Sequence, residues 1–411
     1  MTSGRTVTLS PMSGQRRAAP AREEPTTSRR GNGRDSDAAK AAERRALFRR
    51  RRRRSVAALL VVAAGLFYAF VAHHGPAGGA AATTPKQPLH YSVGVTTCVF
   101  VDHTRATRDY ATGVLEPGRT LRTEIRYPTL NGTPGHGETV GAHPAYGHGP
   151  FPLVVFAHGY NVTPDTYANL LDTWVRAGMI VAAPWFPDTN AAAVAADGNL
   201  SAPESDDVNQ PADVAFVTRS LVAAASPAST SCTALHRLLN MSRIALGGQS
   251  DGAATVAALG YAAAYAAPIP HIAAIEVLSG GEESAPSGQP AGYRAVPGGP
   301  ALLVVQSATD ACNPPEYSTT LYGAVVQPDR WFLTLRSGDH LPPYTDTAEP
   351  ADFAAVASVT TRFLGDELSG AAPGAGFISI GNAHPSIATL TSGPAPRLAP
   401  LEQSASACYL S

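Results

Sequence analysis

The stretch Arg243–Ala253, RIALGGQSDGA, constrains the chain more than any other. An apolar strand-like run ends in two glycines, a serine follows, and a further glycine opens an alanine-rich helical pattern. The pattern is G-x-S-x-G, with Gly248, Ser250 and Gly252. A serine at so sharp a strand-to-helix turn is held in a strained backbone and lifts its hydroxyl above the sheet. Glycines are needed at both second neighbours because strand and helix pass too closely for a Cβ. Three fixed residues in five also occur in ordinary turns, so the surrounding pattern has to decide.

That pattern is an alternation of strands and helices. YSVGVTTCVFVD and RTLRTEIRYP read as two strands of a hairpin or meander. FPLVVFAHG (151–159) is a continuous apolar run of the kind found in a buried parallel strand. In TPDTYANLLDTWVRAG, Thr163 suits an N-cap and Pro164 a first helical position. Tyr167, Leu170, Leu171 and Trp174 then share one helical face, and Gly178 ends the helix. MIVAAPWFP is a strand, a polar loop covers about 189–209, and PADVAFVTRSLVAAA is a helix. RIALGG leads into a helix over 252–266. HIAAIEVLS, PALLVVQSATD and RWFLTLRSGDH are three further strands, and DFAAVASVTTRFLGDEL is a closing amphipathic helix. FISIGNAHPSIATL reads as a small hairpin. This predicts an α/β fold with a mostly parallel sheet and helices on both faces.

A serine hydroxyl is a poor nucleophile unless a histidine takes its proton, and the resulting imidazolium needs a carboxylate. Asp310 ends PALLVVQSATD and His340 ends RWFLTLRSGDH. Both stand at carboxyl ends of strands, where open α/β sheets place their sites. Ser250, Asp310 and His340 are therefore the candidate catalytic residues. Asp339 is too close in sequence to orient His340, and Glu276, inside the preceding strand, competes weakly for the acid. His158 reads as structural, His271 precedes a strand, and His384 is in the tail. Backbone N–H groups of Tyr160, in the HGY turn, and Asp251, after the serine, are the candidate oxyanion hole. Loops 189–212 and 281–298 are expected to wall the pocket, with Trp185, Phe186 and Tyr293 at its rim. His136, His143 and His148 fall in a Gly/Pro-rich loop without fixed ligand spacing, so no metal or other cofactor is expected.

With RTLRTEIRYP, FPLVVFAHGYN, GGQSDGA, ATDACNPP and SGDHLPP in place, the segment from about Tyr91 to Leu368 resembles the α/β-hydrolase superfamily. It is most similar to the branch of platelet-activating-factor acetylhydrolases, chlorophyllases and bacterial cutinase-like esterases. The resemblance implies a serine hydrolase that cleaves carboxylic esters through an acyl-enzyme on Ser250, acting on a small ester or lipid. An acidic Asp251 directly after the serine departs from the usual apolar or amide residue. The alternative is a non-catalytic surface protein that binds on a hydrolase scaffold.

Charge divides the chain. Up to Ser55 there are sixteen Lys and Arg against five acidic residues, net +11, while the remainder is net −12. Residues 1–54 read as a disordered basic cytoplasmic arm. Residues 55–73 read as a transmembrane signal-anchor: Val56–Ala72 carry no charge, and Arg49–Arg54 stand directly before them. A single-pass protein of the cell membrane with an extracytoplasmic domain follows, or a secreted one if GGAAA (78–82) is a cleavage region. The arm is then no nucleic-acid ligand. Residues 74–90 read as a linker, 91–370 as the catalytic domain and 371–411 as a C-terminal extension. Cys98, Cys232, Cys312 and Cys408 suit two disulfides in an oxidising compartment, with three pairings open. Their spacing is too wide for a zinc knuckle. No oligomeric state is indicated.

Overall fold

The computed structural model describes residues 90–408, apart from 133–136, 199–202, 230–231, 266–268, 270, 282–291 and 372. In chain order the strands and helices are β1 (Ser92–Asp102), β2 (Thr107–Arg108), β3 (Leu115–Glu116), β4 (Arg119–Thr129), β5 (Glu138–Val140), β6 (Phe151–Ala157), α1 (Ala168–Arg176), β7 (Ile180–Pro184), α2 (Ala191–Asp197), α3 (Gln210–Ala224), β8 (Leu239–Gln249), α4 (Asp251–Tyr261), β9 (Ile272–Leu278), β10 (Ala301–Ser307), α5 (Pro315–Ala324), β11 (Arg330–Leu335), α6 (Pro350–Ser369), α7 (Ala375–Gly381), β12 (Ala388–Thr391) and α8 (Ala405–Cys408). Ten strands form one sheet in the order β12-β11-β10-β9-β8-β6-β7-β4-β1-β5, and β2 and β3 form a separate ribbon.

The expected fold class needs two corrections. The sheet is mixed: β11 to β7 run parallel, but β12, β4 and β1 join antiparallel to their inner neighbours. The crossover helices that enforce parallel pairing lie only in the middle of the chain, so the rims are free to reverse. Nor is a transmembrane helix part of the described fold. Among the described residues no helix is long and apolar enough to cross a membrane. The longest, α6, has 20 residues but carries Asp352, Arg362, Asp366 and Glu367. The arm, the segment 55–73, and the linker up to residue 89 lie outside the described residues.

Alternation along β6 shows how the core is divided. Leu153 and Val155 belong to one cluster, with Val214 and Leu221 of α3, Val256 of α4 and Leu321 of α5. Val154 and Phe156 belong to the other, with Leu171 and Trp174 of α1 and Val356 and Phe363 of α6. Successive side chains of a strand point to opposite faces, so an all-apolar strand must be covered on both. Trp174 is fully buried and its indole N–H donates to Thr360 Oγ1 at 3.0 Å, fastening α1 to α6.

Among the differences from the sequence reading are three helices. The polar loop after β7 contains α2, begun by Asn190, whose Oδ1 accepts the N–H groups of Ala192 and Ala193. The stretch after CNPP forms α5, with Pro315 at its first position. FISIG is helical, as α7, and only the end of the expected hairpin is a strand, β12. Asn382 bridges them through hydrogen bonds to Ile378 and Leu390. The disulfides pair Cys98 with Cys232 and Cys312 with Cys408.

Candidate active site

Ser250 stands between β8 and α4 with φ 56° and ψ −122°, a conformation unfavourable to a residue with a Cβ. Its neighbours are built around that turn. A Cβ on Gly248 would collide with the backbone of Gly252, and one on Gly252 would collide with the carbonyl of Ala157. The Ser250 N–H donates to Leu278 O at 3.0 Å, tying the turn to the end of β9.

The three expected residues come together. His340 Nε2 lies 2.8 Å from Ser250 Oγ, and His340 Nδ1 lies 2.9 Å from Oδ2 of Asp310. All three are buried. Asp310 sits three residues past β10 and is wrapped by donors. Its Oδ1 accepts the N–H groups of Cys312 at 3.0 Å and Asn313 at 2.9 Å, and its Oδ2 also accepts Gln306 Nε2 at 3.3 Å. Asn313 is itself held by donation to Ser279 O.

Glu276 is elsewhere. It lies inside β9 opposite Gly247 and Leu303, and neither carboxyl oxygen has a hydrogen-bond partner. Burial pushes its carboxyl well above the usual carboxylate range. His158 is fully buried. Its Nε2 accepts the N–H of Phe186 at 3.1 Å, so its Nδ1 carries the proton and donates to Gly159 O at 2.7 Å. Burial lowers its pKa to about 4 against the weaker effect of the Gly159 contact, so the ring is neutral and braces the HGY turn.

Sequence reasoning missed a hydrogen-bond chain behind the site. Gly159 N–H can only donate, so Tyr167 Oη accepts it at 3.2 Å and donates onward to Gln249 Oε1 at 2.7 Å. That orients the Gln249 amide, whose Nε2 lies 3.2 Å from both His340 Nε2 and His340 O. Tyr167 looked like a packing residue in a helical stripe. Gln249 was visible inside the G-x-S-x-G motif, but nothing in the sequence indicated what it faces.

Ser250 and His340 open into a cavity of about 330 Å³, also lined by Tyr160, Val162, Glu204, Asp251, Asn313 and Gln403. Glu204 is the contribution of the expected loop 189–212. Its turn is fastened by buried Arg119, which holds Asp213 of α3 at 2.8 Å and also pairs with Asp206. Trp185, Phe186 and Tyr293 do not line the cavity; Phe186 packs instead on His158. No group of three or more His, Cys, Asp or Glu among the described residues could hold a metal ion. His143 and His148 pack edge-on against Tyr146 and Tyr91, while His136 lies outside the described residues.

No family model and no curated protein matches this sequence. Among solved structures, a ferulic acid esterase from Streptomyces cinnamoneus superposes with a TM-score of 0.53 at 18% identity, covering 75% of this chain and 98% of that one. At that identity the likeness is one of fold alone.

Proposed function

We propose that this protein is a serine hydrolase of carboxylic esters. The observation that carries the reading is the linear contact from Ser250 through His340 to Asp310. With Nδ1–H donated to the Asp310 carboxylate, Nε2 is left as an acceptor facing the Ser250 hydroxyl. Ser250 Oγ attacks the ester carbonyl carbon while His340 takes its proton. Negative charge gathers on the carbonyl oxygen, and its stabilisation is assigned to the backbone N–H groups of Tyr160 and Asp251, two residues that line the cavity. The C–O bond to the alcohol breaks and His340 returns the proton to the leaving oxygen, giving an acyl-enzyme on Ser250. Water, deprotonated by the same imidazole, then releases the acid.

The cavity favours small esters that are neutral or cationic in character. It lies near the low end of the ~300–1,000 Å³ typical of ligand sites, and among the described residues the acidic ones that line it are Glu204 and Asp251, with no Lys or Arg. That the structural neighbour is an esterase agrees with this class of reaction. The two disulfides suit work in an oxidising compartment.

An organophosphonate should label the purified protein on Ser250. Ser250→Ala should lose both the label and ester hydrolysis, by ~10³-fold or more, with an unchanged melting curve. A wild-type protein that takes no label and cleaves no ester overturns the reading.

A further inference from the structure

We propose that the C-terminal segment Gln403–Cys408 is a covalently tethered wall of the substrate cavity that sets how long an acyl group Ser250 accepts. The inference rests on the hydrolase reading above and adds a substrate class to it, namely short-chain esters.

Nothing in the order of strands requires the chain to return to the site after β12. The segment nevertheless does so and is fixed at both ends. Ser404 N–H donates to Ala311 O at 2.7 Å and Gln403 Nε2 donates to Cys312 O at 3.2 Å. Gln403 Oε1 accepts Tyr317 Oη from α5 at 3.3 Å. Five residues after Gln403 the disulfide from Cys408 closes on Cys312. All of these anchors lie on α5 or on the loop that carries Asp310. Gln403 and Cys408 themselves line the cavity beside Ser250 and His340.

A loop held only by its own hydrogen bonds opens and closes cheaply. A loop closed covalently loses most of that freedom. The tether therefore converts a tail into a wall with a fixed position, and the room available to the acyl chain becomes a property of Gln403. The same disulfide adjoins the amides that hold Asp310, so its loss also affects turnover. That effect acts on every ester alike and cancels in a ratio of two.

The test uses the full chain and compares kcat/KM for p-nitrophenyl octanoate with that for p-nitrophenyl acetate. The wild type should prefer the acetate. Cys408→Ser should raise the octanoate-to-acetate ratio by about tenfold, and dithiothreitol should do the same to the wild type. Gln403→Trp, which keeps the tether and narrows the space, should lower the ratio further; it remains informative if Cys408→Ser fails to fold. Replacing Cys98 and Cys232 together by Ser should leave the ratio at the wild-type value. Cleavage of both esters with ratios within twofold of wild type in Cys408→Ser and Gln403→Trp overturns the wall alone. Cleavage of neither ester by the wild type overturns the hydrolase reading, and the wall with it.

Discussion

Asp310 and Glu276 are carboxyls on neighbouring strands' segments, and both are fully buried. They differ in what the backbone around them can offer. Asp310 lies past the end of β10, where the ladder has stopped and the amides of Cys312 and Asn313 are available to it. Glu276 lies in the middle of β9, between Gly247 and Leu303, where the neighbouring amides are committed to the sheet and the side chain enters the cluster of Phe156 and Trp174. Burial alone therefore does not make a buried acid useful. A charged carboxylate needs donors, and the sheet supplies them only where its strands end.

The sharpest break of this comparison is Asp310→Asn. The amide fills the same space but removes the charge that, in the proposed mechanism, favours a protonated His340 during the reaction. The expected loss in kcat is on the order of 10⁴, with little change in KM. Glu276→Gln should leave kcat close to wild type. If steady-state kinetics reversed that order, with the Glu276 variant inactive and Asp310→Asn intact, the acid would belong to β9.

A second, smaller effect tests the geometry of a strand end. Gly252→Ala adds one methyl against the carbonyl of Ala157, which is backbone and cannot swing aside. Overpacking of this kind costs about 1–3 kcal/mol and occasionally more, so the melting temperature should fall by several degrees and hydrolysis should be largely lost. Gly323→Ala is the control. Gly323 is in α5, where an added Cβ meets nothing within 4 Å, and its melting temperature should stay level or rise slightly. Calorimetry on the pair checks this.

How much could be read beforehand follows the same division between strand and strand end. Continuous apolar runs such as FPLVVFA and ALLVVQS announce buried strands, because burial on both faces leaves no other composition. The G-x-S-x-G turn announced itself because two close backbone approaches admit only glycine. Asp310 and His340 were legible by their places after such runs. The rest depended on contacts between distant segments. Tyr167 and Gln249 meet across 82 residues, and the return of Gln403 and Cys408 to the cavity has no periodicity to signal it. The antiparallel pairing of β1 with β4 follows their reading as a hairpin or meander, whereas the antiparallel joining of β4 to β7 was not legible, because an apolar run does not state the direction in which it pairs. Reading FISIG as a strand failed because so short a run, with Phe377, Ile378 and Ile380 around one serine, suits either period, and packing of α7 against α6 decided for the helix.

The smallest effect is also the most selective, and it concerns Glu276 as a titrating group. Its folded pKa is raised by burial, and no partner compensates. In the unfolded chain a glutamate ionises near ~4.3. Below that pH both states hold the proton and Glu276 costs nothing by ionisation. As pH rises above it, the unfolded state gains by ionising while the folded state must stay neutral in the core. Stability then declines with rising pH until the folded carboxyl itself ionises. Gln cannot titrate, so Glu276→Gln should melt close to wild type at pH 4 and above it at pH 9, the gap widening steadily between. The pH slope isolates ionisation from packing, because the loss or gain of contacts with Phe156 and Trp174 is the same at every pH. Paired thermal melts from pH 4 to 9 provide the measurement. Parallel melting curves across that range would mean that Glu276 finds a donor in solution, and the contrast with Asp310 would disappear.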